Sequence, residues 1–174
     1  MNRNPGERSE IRDLTPHASP TRTAAHVDFG LRAYTPHDED GAIALWLRTW
    51  QAAYPQIDFA QRLAWWRERW RNELVASAEV VIAQRETAII GLVTVDRRTL
   101  YLDQLVVAPE HWGSGLGGAL LDEAKRRSPS GLDLDVNTDN ARALGFYRKH
   151  GFSIHGSGVN PVSGKAVHRM RWRP

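Results

Sequence analysis

Residues 113 to 118, Gly-Ser-Gly-Leu-Gly-Gly, place four glycines in six positions directly ahead of a run that reads as a helix. A glycine-rich turn opening a helix lets main-chain N–H groups close on an anion, most often a phosphate, and the helix dipole favours negative charge there. One phosphate chemistry is a dinucleotide site: Gly113, Gly115 and Gly118 satisfy G-x-G-x-x-G, and Asp133 stands twenty residues beyond Gly113, where a ribose-binding carboxylate would be wanted. Three features oppose it. The segment Ala108–Trp112 separates the preceding strand from the first glycine, only 56 residues follow Gly118, and no βαβ unit precedes it. A P-loop fails because no Lys-Ser/Thr pair follows the glycines. Two carboxylates, Asp103 and Asp135, alternate with apolar neighbours in strand-like stretches, so each is either a proton acceptor or a group on a solvated face.

The elements that must position these residues follow from periodicity. A short strand at "LRAYTPHD" runs into a turn, with Asp38 as N-cap of a helix whose apolar face is Ile43, Trp46, Leu47, Trp50 and Tyr54. After Pro55, a second amphipathic helix carries Phe59, Leu63, Trp66, Trp70 and Leu74 at the same spacing. Three β-branched runs follow, "EVVIAQRE", "AIIGLVTVDRR" and "TLYLDQLVV", the first two forming an antiparallel pair. The glycine turn and its helix come next, stopped by Pro129, then a strand "GLDLDVN", a short helix "ARALGFYRKH" closed by Gly151, and a terminal hairpin of "GFSIHG" with "AVHRMRW". That order predicts a mixed α/β sheet flanked by helices.

Composition narrows the function classes. The chain has 174 residues, enough for one domain with a core, and residues 1–29 are polar and lack an apolar period, which predicts a flexible extension before a domain at 30–174. No cysteine occurs, which excludes disulfides, thiolate metal sites and a thiol nucleophile. None of the seven histidines is paired at i, i+4 with an acidic helper, so no metal site is expected. No apolar run approaches the ~18 to 20 residues of a membrane span and no signal-peptide core is visible, which predicts a cytoplasmic protein without membrane association. The net charge of +3 lacks a basic stripe, so nucleic acid is not an expected partner.

The segments "LVVAPEHWGSGLGGALL" and "VNTDNARALGFYRKHGF" resemble the two signature segments of the GNAT family of acetyl-CoA-dependent N-acyltransferases, and the likeness extends over roughly residues 30–174. The resemblance implies the GNAT fold, acetyl-CoA as cosubstrate and acetyl transfer to an amine. In that family a Q/R-x-x-G-x-G/A turn wraps the pyrophosphate of coenzyme A. Here Trp112, Gly115 and Gly117 hold those positions, so tryptophan stands where glutamine or arginine is usual. Cofactor contacts are accordingly expected from Trp112, Gly113, Ser114, Gly115, Leu116, Gly117 and Gly118. The resemblance adds N–H groups around Leu105, Val106 and Val107, a splayed strand beside them, and Asn140, which also suits a helix cap. Trp112 either covers the nucleotide end or packs on the neighbouring helix.

The resemblance also implies that Tyr147 is the acid for the departing thiolate, a role its protonated phenol suits at neutral pH. For the base, Asp135 matches the position used by ribosomal-protein alanine acetyltransferases, Asp103 lies on the preceding strand, and loss of the amine proton to water is a third route. The two early helices are implied to wall the acceptor site. Trp46, Trp50, Trp66 and Trp70 follow the apolar spacing of a core, whereas Trp65 sits off that face and suits a pocket or a subunit contact, as in a homodimer. Aromatic walls favour an apolar or cationic acceptor. A small-molecule primary amine is the expected substrate. A protein N-terminus or lysine, a non-catalytic acyl-CoA sensor and a dinucleotide oxidoreductase are the alternatives.

Overall fold

The computed structural model describes residues 28–174; the extension expected over residues 1–29 lies, as far as residue 27, outside them. Strand β1 (Gly30–Ala33) leads through a 3-10 turn (Pro36–Asp38) into α1 (Glu39–Ala53). A second 3-10 turn (Ala60–Arg62) opens α2 (Leu63–Arg69), which widens into a π turn (Trp70–Leu74) and closes with the single turn α3 (Val75–Ser77). Then come β2 (Glu79–Arg85), β3 (Ala88–Asp96), β4 (Tyr101–Val107), α4 (Leu116–Arg127), β5 (Leu132–Asn137), α5 (Ala141–Lys149), β6 (Ser153–Val159) and β7 (Ala166–Trp172). The seven strands form one mixed sheet in the order β1-β2-β3-β4-β5-β7-β6. Every neighbouring pair is antiparallel except β4 and β5. The expected mixed α/β architecture is therefore present, with β7 rather than β6 inserted beside β5.

Two local expectations change. Asp38 holds the N-cap position of α1 but makes no side-chain cap bond there; Thr35 is the N-cap of the preceding 3-10 turn, and the Asp38 carboxylate accepts from the Thr35 amide at 2.7 Å in a reciprocal capping box. Arg32 clamps the same carboxylate at 2.7 and 2.6 Å, which anchors the α1 entrance to β1. The second helix is not uniformly α: the π turn begins at Trp70, and Trp66, Trp70 and Leu74 all remain in the core.

The centre of the sheet is covered on both faces, which is why β3 is buried without interruption from Ile90 to Val95. A bulge at Ile90 reverses the side-chain alternation, so Ile89 meets Gly41 of α1 while Gly91 lies under Leu120 of α4. A Cβ on Gly91 would stand 2.8 Å from Leu120 and 3.2 Å from the Val106 carbonyl oxygen, so glycine sets how closely α4 approaches the sheet. Leu116, Leu120 and Leu121 are fully buried on α4, and each such leucine contributes about 1.5–3 kcal/mol relative to exposure. This packing holds the glycine turn rigidly at the end of β4.

Candidate functional site

The site begins with a break in the sheet. The parallel strands β4 and β5 pair only at Tyr101 and Asp133, fastened by the Asp133 amide on the Leu100 carbonyl at 2.7 Å, and then part. A crevice at the carboxyl ends of parallel strands is where open α/β sheets bind ligands. A second bulge shapes its β4 wall, where Val93 pairs with Leu105 but Val95 pairs with Leu102. The amide of Gln104 is satisfied by the hydroxyl of Thr94 at 2.9 Å, which explains a wholly buried threonine in an apolar strand. Beyond the bulge, the Ala108 amide donates to Ile90 at 2.9 Å, so alternation turns the amides of Ala108 and Val106 toward β3 and those of Leu105 and Val107 toward the crevice. Of the three β4 residues expected to offer N–H groups, Leu105 and Val107 do so and Val106 does not.

At the wide end lies the glycine turn. Gly113 and Gly115 have φ of +79° and +92°, and open space surrounds the place where either would carry a Cβ. Left-handed backbone at both positions favours glycine. The amides of Gly113, Gly115, Gly117 and Gly118 donate to nothing among the described residues, the Ser114 amide is bonded to His111 at 3.2 Å, and Leu116 reaches only the Ser114 hydroxyl at 3.4 Å. The Ser114 hydroxyl itself donates to the His111 carbonyl at 2.7 Å. Gly117 and Gly118 serve a different need: their absent side chains let Phe146 and His150 of α5 lie against α4. Free, convergent main-chain donors at a helix start fit a diphosphate.

Between the early helices, β4, β5 and the start of α5 is a cavity of about 430 Å³. Its aromatic wall includes Trp46, Trp50, Tyr54, Phe59, Trp65 and Trp66, its sheet floor carries Tyr101, Asp103, Leu105 and Asp135, and α5 adds Asn140 and Tyr147. Trp46 stacks on Trp66 at 4.3 Å and Trp50 on Tyr54 at 5.8 Å, so much of the wall is also core. Trp65 remains 39% exposed at the cavity rim, consistent with its place off the apolar stripe.

The two acidic candidates differ in their partners. Asp103 is gripped by Arg69 at 3.1 and 2.6 Å and accepts from Gln104 at 2.8 Å. The Asp135 carboxylate has no hydrogen bond or ion pair among the described residues, and desolvation pushes its pKa up, with Arg169 and His155 opposing and Asp103 adding to the rise. Arg169 faces Asp135 across the ladder, but its side chain lies along Gly156 and Gly158 of β6, whose lack of side chains makes the room. Tyr147 is buried between Phe146 and Phe152, and burial together with Tyr101 raises its pKa, so the phenol stays protonated. Its hydroxyl has no protein partner among the described residues.

Asn140 caps α5, its side-chain oxygen accepting from the Ala143 amide at 3.0 Å, and its amide nitrogen remains for a ligand. The Trp112 indole donates to the Val107 carbonyl at 2.8 Å and packs flat beneath Arg142, whose guanidinium carbon is 3.6 Å from the ring centre. The indole thus lies between β4 and α5. Arg69 and Tyr101 line the cavity and were passed over by the sequence reading, as was Arg142 above Trp112. Tyr101 was detectable, since it is two positions before Asp103 and shares its strand face; its own pKa is raised by burial, Asp135 and Asp103. No cluster of potential metal ligands and no helix long and apolar enough to cross a membrane occurs among the described residues.

Comparison with known proteins agrees with this geometry. The family model for acetyltransferases of the GNAT family matches residues 38–152. The chain is 31% identical over 124 residues to the peptidyl-lysine N-acetyltransferase YjaB of Salmonella typhimurium, covering 69% of this chain and 81% of that protein. It is 27% identical over 146 residues to the mycothiol acetyltransferase of Brachybacterium faecium, covering 78% of this chain and 39% of that one. Among solved structures, the PaiA N-acetyltransferase of Thermoplasma acidophilum in complex with coenzyme A superposes with a TM-score of 0.69 at 21% identity, over 84% of this chain and 99% of that one.

Proposed function

The chain belongs to the GNAT acetyltransferase family, and from that premise we propose that it acetylates the primary amine of a small molecule by direct attack while amine and acetyl-CoA are bound together. The observation that carries this reading is that a carboxylate, Asp135, and a phenol, Tyr147, neither with a side-chain partner among the described residues, share one aromatic-walled cavity at the mouth of the β4–β5 crevice. Acetyl-CoA supplies an activated carbonyl. The amides of Leu105 and Val107 are fixed donors for charge developing on its oxygen, and the free glycine amides hold the diphosphate. Asp135 takes the proton that the amine loses as the C–N bond forms. Tyr147 shares its proton with the sulfur as the C–S bond breaks, and solvent restores both groups. A carboxyl pushed up from its ordinary value is a better base than a free aspartate, whereas Asp103 is committed to Arg69.

The acceptor is assigned to the cavity because its volume and aromatic lining suit a compact ligand, and because the aromatic faces attract a cation. A lysine side chain of a protein is the second reading, favoured by the naming of the Salmonella relative as a peptidyl-lysine N-acetyltransferase. A thiol-release assay with acetyl-CoA against small amines and lysine peptides tests the assignment. Turnover of at least one small amine above every peptide is expected. Turnover confined to peptides would transfer the function to lysine acetylation, and coenzyme A binding without any thiol release would leave a sensor.

A further inference from the structure

Resting on the acetyl-CoA reading above, we propose that Arg142, held in place by Trp112, is the side-chain cation that binds the diphosphate of coenzyme A at the glycine turn. The position where the resembling family turn carries glutamine or arginine holds Trp112, which offers no charge. The structure places a guanidinium over that indole from a different element, at 3.6 Å. The indole is itself fixed by its bond to the Val107 carbonyl, so it forms a rigid platform. A guanidinium stacked by its flat face keeps its in-plane N–H groups free for an oxyanion.

Three features mark Arg142 as awaiting an anion. It makes no hydrogen bond or ion pair among the described residues, whereas Arg32, Arg48, Arg69 and Arg127 each meet a carboxylate. It stands in the first turn of α5, directly after Asn140 and Ala141, where a cation opposes the helix dipole and costs stability. Arg142 is exposed, yet partial desolvation lowers its pKa and no acidic neighbour opposes that direction. Trp112 directly precedes Gly113 in the chain, so the stacked guanidinium and the uncommitted amides belong to one turn, and an oxyanion bound there would have both kinds of donor to draw on. Neither residue has another task in the chemistry, and their pairing across two elements accounts for a tryptophan at a turn that binds a charged group.

Isothermal titration of the full chain with coenzyme A and with dephospho-coenzyme A tests the proposal, since the second ligand keeps the diphosphate and lacks the 3′-phosphate. Arg142→Ala should weaken both ligands by the same factor, about ten- to thirtyfold, as expected for one or two charge-assisted hydrogen bonds. Equal affinity of Arg142→Ala and the native chain would overturn it, and so would a penalty seen with coenzyme A alone, which would move Arg142 to the 3′-phosphate. If the native chain bound neither ligand, the cofactor reading would fail first and this inference with it; native binding with an unchanged variant refutes the inference alone.

Discussion

Replacing each candidate base in turn separates chemistry from architecture, because Asp135 and Asp103 differ in what they hold. Asp135→Asn removes a carboxylate that bonds to nothing in the described residues and keeps its shape. Loss of a general base lowers kcat/KM by about 10²- to 10⁴-fold. Folding should not suffer. A group whose pKa is raised in the folded protein contributes stability below its unfolded pKa and forfeits it as pH rises, so at neutral pH the Asp135 charge opposes folding and Asn removes that burden. The melting temperature is expected to stay equal or rise slightly.

Asp103→Asn does the reverse. It strips the charge from a bidentate pair whose side chains are 20% and 22% exposed, leaving Arg69 half-buried with only Glu73 at 3.0 Å to face it. After discount for that exposure, the loss is about 1–2 kcal/mol, or about 2–8 °C in melting temperature for a chain of this size. Its kcat/KM should fall less than tenfold. Initial rates followed from alkaline pH down into the carboxylate range complete the test. The native enzyme loses activity on the acid side as Asp135 protonates, a limb that Asp103→Asn keeps and Asp135→Asn loses. A full acid limb with near-native rates in Asp135→Asn would refute the assignment, and a collapse of rate in Asp103→Asn without loss of stability would hand the role to Asp103.

Tyr147→Phe should lower kcat about a hundredfold while coenzyme A affinity and melting temperature hold, because the hydroxyl has no protein partner among the described residues to lose; stopped-flow turnover with titration calorimetry reads both. Gly115→Ala forces a side chain onto a φ of +92° and should cost about 1–2 kcal/mol while weakening coenzyme A binding, visible by thermal shift with and without ligand. Asp38→Asn removes a carboxylate held well below its ordinary pKa, chiefly by Arg32, and should cost about 1–3 kcal/mol at pH 7. That stabilisation is present above the unfolded carboxyl pKa and is lost as pH falls through the folded one, so urea midpoints of native and variant chains should start to approach each other below about pH 4 and meet only at a much lower pH.

What could be read in advance was local in sequence. The glycine turn, the Asn140 cap and the spacing of Tyr147 depend on neighbours within one helix, and the strands declared themselves by alternation. Long-range pairings left no such trace. Arg69 meets Asp103 at a separation of 34 residues, and nothing in either neighbourhood distinguishes a clamped aspartate from a free one. The bulge at Thr94 inserts no visible sequence signal, yet it decides which β4 amides face the crevice. Trp112 departs from the family pattern at its turn, and its stacking partner Arg142 comes from another helix, so their contact left no local trace. Asp38 stands at the α1 N-cap as expected, but its carboxylate is held by Arg32 on β1 and by Thr35 instead of by the helix amides.

The most direct measurement is a crystal structure of the chain with acetyl-CoA. The account predicts the diphosphate on the amides of Gly113 to Gly118 and the thioester threading between β4 and β5, its oxygen toward Leu105 or Val107 and its sulfur beside Tyr147. A cofactor bound elsewhere, or a crevice that stays empty at saturating acetyl-CoA, would contradict it.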